Sequence, residues 1–254
     1  MIKIEVKFDV KTLVKKLEGD QKQIAFATAV ALTKTAQQVQ AEEYQEIKAV
    51  FDRPTEYTLN SLYVKPATKQ SLEARVWVKD DVYKGTPAEK YLLPEIIGGT
   101  RRAKRFERAL MNAGLMPQGY YAMPGIGAPL DAYGNIPSKF IVQLLSYLKA
   151  FGEQGYKANI TDKGKIKHDK SLSKKLGASG SSYFVNLKKG KLPLGIYQRI
   201  SYGFGKAIKP VIIYVKFTQY KPLFKFKDVA DRAINKSFEK YLKESVEYAF
   251  NTRR

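Results

Sequence analysis

A single histidine, no cysteine and 24 carboxylates bound the chemistry open to this 254-residue chain. Without cysteine there is no disulfide, no thiolate metal site and no thiol nucleophile. Any imidazole relay must run through His168, whose surroundings, KIKHDKSLSKK, read as a polar loop rather than a shaped site. Glu46-Ile47-Lys48 has the E-x-K spacing of metal-dependent nucleases, but it lies in a helical stretch, and Asp52 is not a convincing upstream acid. Asp80-Asp81 closes an extended segment, where neighbouring side chains point to opposite faces, so only one carboxylate would meet a given cation. GIG at 125–127 and GFG at 203–205 lack the following helix and Lys-Ser/Thr of a phosphate loop and read as turns. Asp131 and Asn135 in LDAYGN read as turn-formers through side-chain to backbone bonds. No catalytic residue, metal ligand or cofactor site is assigned, and no cofactor is expected.

The cations carry a clearer signal. Net charge is +21, and residues 131–254 hold 25 Lys/Arg against 9 Asp/Glu. That asymmetry favours a polyanionic neighbour, either DNA or an acidic protein surface. Lys163, Lys165, Lys167, Lys170, Lys174 and Lys175 form one basic cluster, and Lys188, Lys189 and Lys191 a second. No helix-turn-helix, RNA-recognition or zinc pattern accompanies them, so contact with DNA would be to phosphates, non-specific and salt-sensitive. A solvated loop is the competing reading. A third cationic set, Arg101, Arg102, Arg105 and Arg108, follows Gly98-Gly99. It would meet an acidic subunit, phosphate or solvent, and the forked guanidinium favours carboxylate pairing at an interface.

These side chains need a scaffold. IKIEVKFD alternates as a strand, and residues 10–18 read as a short helix ending at Gly19. Asp20 is placed to cap a helix running to about Val50, with Ile24, Ala27, Ala31, Thr35 and Val39 on one small apolar face. So thin a helix suits a sheet or a copy of itself. Thr58–Val64 reads as extended and LEARVWVK as a strand, with Arg75 and Trp77 on the face opposite Ala74, Val76 and Val78. YLLPEII (91–97) reads as an apolar strand, Gly98-Gly99 as a sharp reversal and Thr100–Asn112 as a basic helix. Residues 114–137 read as an ordered, packed loop, and 138–151 as a helix capped by Ser138. Residues 152–182, rich in Lys, Gly and Ser, read as a mobile loop or insertion. YFVNL, LGIYQRIS and AIKPVIIYVKF read as three antiparallel strands, and Lys225–Phe250 as an amphipathic helix. The expected fold is α+β: one domain over 1–254, an antiparallel sheet flanked by a long N-terminal helix and a C-terminal amphipathic helix. No apolar run reaches the roughly 20 residues of a membrane span. The N-terminus lacks the apolar core of a signal peptide, so a reducing cytoplasm, or exit by a route other than secretion, is expected.

Several segments together resemble a known family. They are ALTKTAQQVQ, FDRPTEYTLNSLYV, YLLPEIIGGTRRAKRFERALMNAGLMP, GIYQRI followed by KPVIIYVKF, and KPLFKFKDVADRAI. The pattern is similar to tailed-bacteriophage minor tail protein Z, or tail completion (head–tail joining), proteins; residues 152–182 depart from it. The resemblance implies a virion structural protein, not an enzyme, made in the host cytoplasm and placed at the head–tail junction. It implies a homo-oligomer, or copies on a ring around the DNA channel. Its partners would be a connector or portal-side adaptor and a tail terminator or tail tube, with non-specific contact to packaged DNA and none to membrane. The alternative is a non-specific DNA-binding protein, or a metal-dependent DNA-processing one using Glu46, Asp80 or Asp81.

Overall fold

The computed structural model describes residues 3–7, 21–83, 85–152, 158–188, 190–217 and 219–252. In chain order the elements are β1 (Lys3–Lys7), α1 (Gln21–Val50), α2 (Glu56–Leu59), β2 (Leu62–Lys65), β3 (Glu73–Val78), α3 (Ala88–Ile97), α4 (Arg105–Asn112), β4 (Tyr120–Pro124), α5 (Ser138–Tyr147), α6 (Asp162–Lys175), β5 (Gly180–Asn186), β6 (Gly195–Tyr202), β7 (Gly205–Lys216) and α7 (Phe226–Asn251). The fold is α+β, with two antiparallel sheets and long helices near both ends. Where the sequence reads as one domain, the chain separates into two compact units. Unit 1 is residues 1–101 with 219–254, and unit 2 is residues 102–218. The helix expected at 10–18 and the Asp20 cap lie outside the described residues. Among the described residues no helix is long and apolar enough to cross a membrane.

Unit 1 lays a three-stranded sheet, in the order β1-β3-β2, on α1. The alternation of β3 holds: Ala74, Val76 and Val78 are fully buried, Ala74 and Val76 in a cluster with Leu32, Ala36 and Val39, and Val78 in one with Ile47 and Leu92. On its other face Trp77 lies 5.5 Å from the Tyr63 ring, and Arg75 bridges Glu73 and Glu5. Helices α1 and α7 run antiparallel, because Tyr241 donates to Gln38 while Ile47 shares a cluster with Phe226. Small residues let them approach. Ala27, Thr28, Ala31 and Thr35 on α1, and Ala230, Ala233, Ser237 and Ser245 on α7, are all buried. The hydroxyls of Thr28, Thr35 and Ser237 donate to their own i−4 carbonyls and so cost little to bury. The buried face of α7 thus runs from Val229 through Ala233, Ser237 and Ser245 to Ala249.

The stretch 91–97 is a helix, correcting the strand expectation. Ala88 and Leu92, one helical turn apart, are buried, and Ile47, Phe224 and Phe226 belong to the same cluster. Seven largely apolar letters are too short to reveal that period. The glycine reading is right. Gly98 caps α3 at φ 80° and Gly99 sits at φ 96°. Gly99 and Tyr220 exchange both backbone hydrogen bonds, 3.2 and 2.7 Å, where the chain leaves and rejoins unit 1.

Unit 2 is a four-stranded sheet, β4-β7-β6-β5, with α4 and α5 on one face. Leu110, Met111, Leu144 and Leu145 pack on Ile196, Val211 and Ile212. β4 lies inside the segment expected as a packed loop. GIG continues it along β7: Gly125 donates to Val211 and Gly127 to Pro210, and a Cβ on Gly125 would stand 2.3 Å from the Pro210 carbonyl oxygen. GFG closes the β6–β7 hairpin, with Tyr202 paired to Gly205. Asp131 accepts from the backbone of Tyr133 and Asn135, as its turn role requires.

Helices α4, α5 and α6 end alike, with a left-handed residue after the cap: Gly114, Lys149 and Gly177. Lys149 is the odd one, at φ 56°, with Ala150 donating back to Leu145 at 2.8 Å. Lys149→Gly is expected to stabilise unit 2 by about 0.5 kcal/mol, because the left-handed strain of a Cβ is relieved. Loss of the exposed Lys149–Asp162 pair offsets only part of this. Urea unfolding followed by circular dichroism checks it.

Candidate nucleic-acid interface

The segment 152–182 is the main correction to the sequence reading, because 162–175 is a docked helix rather than a mobile loop. Residues 153–157 lie outside the described residues. Thr161 caps α6 by accepting from the Gly164 amide at 3.1 Å, and Asp162 suits the positive end of the helix. The anchors come from outside the segment. The Tyr147 hydroxyl, buried at the end of α5, donates to Asp169 at 3.0 Å and accepts from the Tyr183 amide at 3.3 Å. Burial, ahead of the nearby Asp169, pushes the Tyr147 hydroxyl pKa well above the usual phenol value. The same contact occupies an edge amide of β5, which protects the sheet from edge pairing. His168 belongs to this packing. Its ring lies 5.2 Å from Tyr147 and 6.1 Å from Tyr183, with Nδ1 3.5 Å from Asp169.

With one face of α6 so committed, the opposite face is cationic. Lys163, Lys167, Lys170 and Lys174 recur at steps of four, three and four, which places them within about 60° around the helix axis. All four are exposed, as is Lys175 to one side. Lys165 leaves the expected set: it is half-buried, with its ammonium 4.5 Å from the centre of the Tyr147 ring. Lys188 and Lys191 are exposed in the β5–β6 connection, and Lys189 lies outside the described residues.

The four arginines do not make one ridge. The helix begins at Arg105, so Arg101 and Arg102 precede it, with Arg101 half-buried and Arg102 exposed. Only Arg105 and Arg108 share α4, both exposed. Between them Glu107, fully buried, was missed at the sequence level. One carboxylate oxygen accepts from the Lys104 amide at 2.6 Å and the other from the Ala122 amide at 2.9 Å, fastening α4 to β4. The signal was an acid at the third helical position, a capping-box spacing. Glu107→Gln turns an amide NH2 toward one of these donors and is expected to cost about 2 kcal/mol, read by urea unfolding.

Charge separates by unit. Unit 2 holds 20 Lys/Arg against 5 Asp/Glu, and unit 1 holds 25 against 19. From residue 170 to 227 there is no acidic residue and there are 13 Lys/Arg, a run as telling as the lysine clusters. The carboxylates considered for a metal do not converge: Glu46 is half-buried on α1, Asp80 half-buried and Asp81 exposed after β3. Among the described residues no three His, Cys, Asp or Glu form a group able to hold a metal. No family model, no curated protein and no solved structure matches this chain.

Proposed function

We propose that this chain is a structural protein of a tailed-phage particle, acting at the head–tail junction, with unit 2 turned toward DNA. The observation that carries the DNA side is the concentration of charge: a net +15 in 102–218, ending in an exposed lysine face on a helix whose other face is fixed. Phosphate contact by such a face is independent of sequence, since lysine acts as a point charge. The place in the particle rests on the resemblance of the segments in both units to tail completion proteins. In that role the chain is not an enzyme. It works as several copies on a ring and meets a connector-side adaptor and a tail terminator or tube.

Two measurements test the two halves of this reading. Fluorescence anisotropy of the full-length protein with random-sequence duplex is expected to give a log Kd that rises steeply with log salt, by about 0.9 per phosphate contact. Absence of binding at low salt overturns the DNA side. Electron microscopy of a lysate from phage lacking the gene is expected to show filled heads beside separate tails, or tails of uncontrolled length. Intact infectious particles overturn the junction role.

A further inference from the structure

We propose that the β6–β7 hairpin is a base-stacking finger that receives an unpaired base of nucleic acid on Phe204. The proposal rests on the reading that unit 2 contacts DNA, and it adds a mode of contact that the lysine face does not provide.

Phe204 sits at the tip of the hairpin with 94% of its surface exposed. Its ring is stacked on Tyr202, with centroids 5.5 Å apart and planes 10° from parallel. The two rings are near-parallel but offset, so Tyr202 orients Phe204 while nearly all of its ring stays open to solvent. Gly203 and Gly205 flank it and leave the approach unobstructed. A phenyl ring left wholly in water is unfavourable unless something covers it part of the time. The surrounding side chains say what that is. Lys206 and Lys209 on β7, and Arg199 on β6, are exposed, and the hairpin lies inside the acid-free run. Below the tip the Arg199 guanidinium lies over the Phe184 ring at 4.8 Å, and Phe184 stacks on Tyr197 at 5.6 Å. Phe184 belongs to β5 and Tyr197 is buried, so those two rings are already engaged, and Phe204 is the aromatic ring at this end of the sheet that is left open, beside exposed cations. Single-stranded nucleic acid presents the complementary pair, an unstacked base for the ring and phosphates for the cations. A lipid surface fits less well, because insertion rewards a cluster of apolar groups at one depth, and here the neighbours of Phe204 are glycines.

The test compares a labelled dT oligonucleotide of about 20 nucleotides with a duplex of the same length, on full-length protein at fixed salt. Phe204→Ala is expected to weaken the dT complex by about tenfold and leave duplex affinity and its salt slope unchanged. Phe204→Tyr is expected to keep wild-type affinity for both. If F204A binds dT as tightly as wild type while duplex binding persists, the stacking finger is wrong and the phosphate reading survives. If wild type binds neither probe, both fall. If F204A loses binding to phosphatidylserine vesicles and not to dT, the occupant is a membrane and the proposal is overturned.

Discussion

Glu43→Met is expected to stabilise unit 1 by about 3 kcal/mol at pH 7 and to remove most of its pH dependence between about pH 5 and pH 9. Glu43 is fully buried, on the stripe that carries Val39 one turn before it and Ile47 one turn after. Among the described residues, neither of its carboxylate oxygens has a hydrogen-bond partner. Burial, reinforced by Glu46 and only partly opposed by Arg232, pushes its pKa up to about 9. The folded state therefore holds a proton there that the unfolded chain releases above the ordinary carboxylate range. Stability from this group is greatest in acid. It falls by about 1.4 kcal/mol per pH unit as pH rises through that range, and levels off above the folded-state value. Methionine has similar volume and no charge to desolvate, so it keeps the packing and removes the slope. Trp77, the only tryptophan, lies on the unit 1 sheet, so its fluorescence during urea unfolding at pH 5, 7 and 9 reads this unit directly. Parallel pH profiles for wild type and variant would show that Glu43 is ionised in the fold.

The second large effect is on DNA. Replacing Lys163, Lys167, Lys170 and Lys174 together by alanine is expected to weaken duplex binding at low salt by about 100-fold or more. The slope of log Kd against log salt should fall by about 3 to 4, one unit for each lost phosphate contact. Lys165→Ala is the informative control. Its ammonium is spent on Tyr147, so its loss should lower stability and leave the salt slope in place. A four-lysine variant with the wild-type slope would move the contact surface elsewhere in unit 2.

The sequence was readable wherever a residue's own neighbours decide its state. The period of two in β3 and the small-residue stripe of α1 are local patterns, and both hold in the structure. The positive φ at Gly98-Gly99 and the side-chain turn at Asp131 are also local, and both are present. What was lost depends on partners far along the chain. Helix α6 has few apolar residues of its own and is held by Tyr147 and Tyr183, so hydropathy reads it as loop. Helix α3 is too short to show its period. β4 exists because β7 offers it an edge. The lysine set was found as a cluster, but its split into a free stripe and a packed Lys165 needed the helix. Glu43 was visible in principle, as an acid at the next step of the stripe that runs through Thr35 and Val39.

The Gly99–Tyr220 pair also bears on biosynthesis. Unit 2 is one unbroken stretch of chain, complete on the ribosome as soon as residue 218 has emerged. Unit 1 is not: α1 is made before unit 2, while α7, which covers its small-residue face, is made only after it. At about 5–20 residues per second, Leu32, Ala36 and Val39 wait roughly ten seconds or more for Ala230 and Ala233. The nascent chain thus carries an unsatisfied apolar helix through the whole folding of the inserted unit. Termination after residue 218 but before α7 leaves a folded basic unit attached to an aggregation-prone stub.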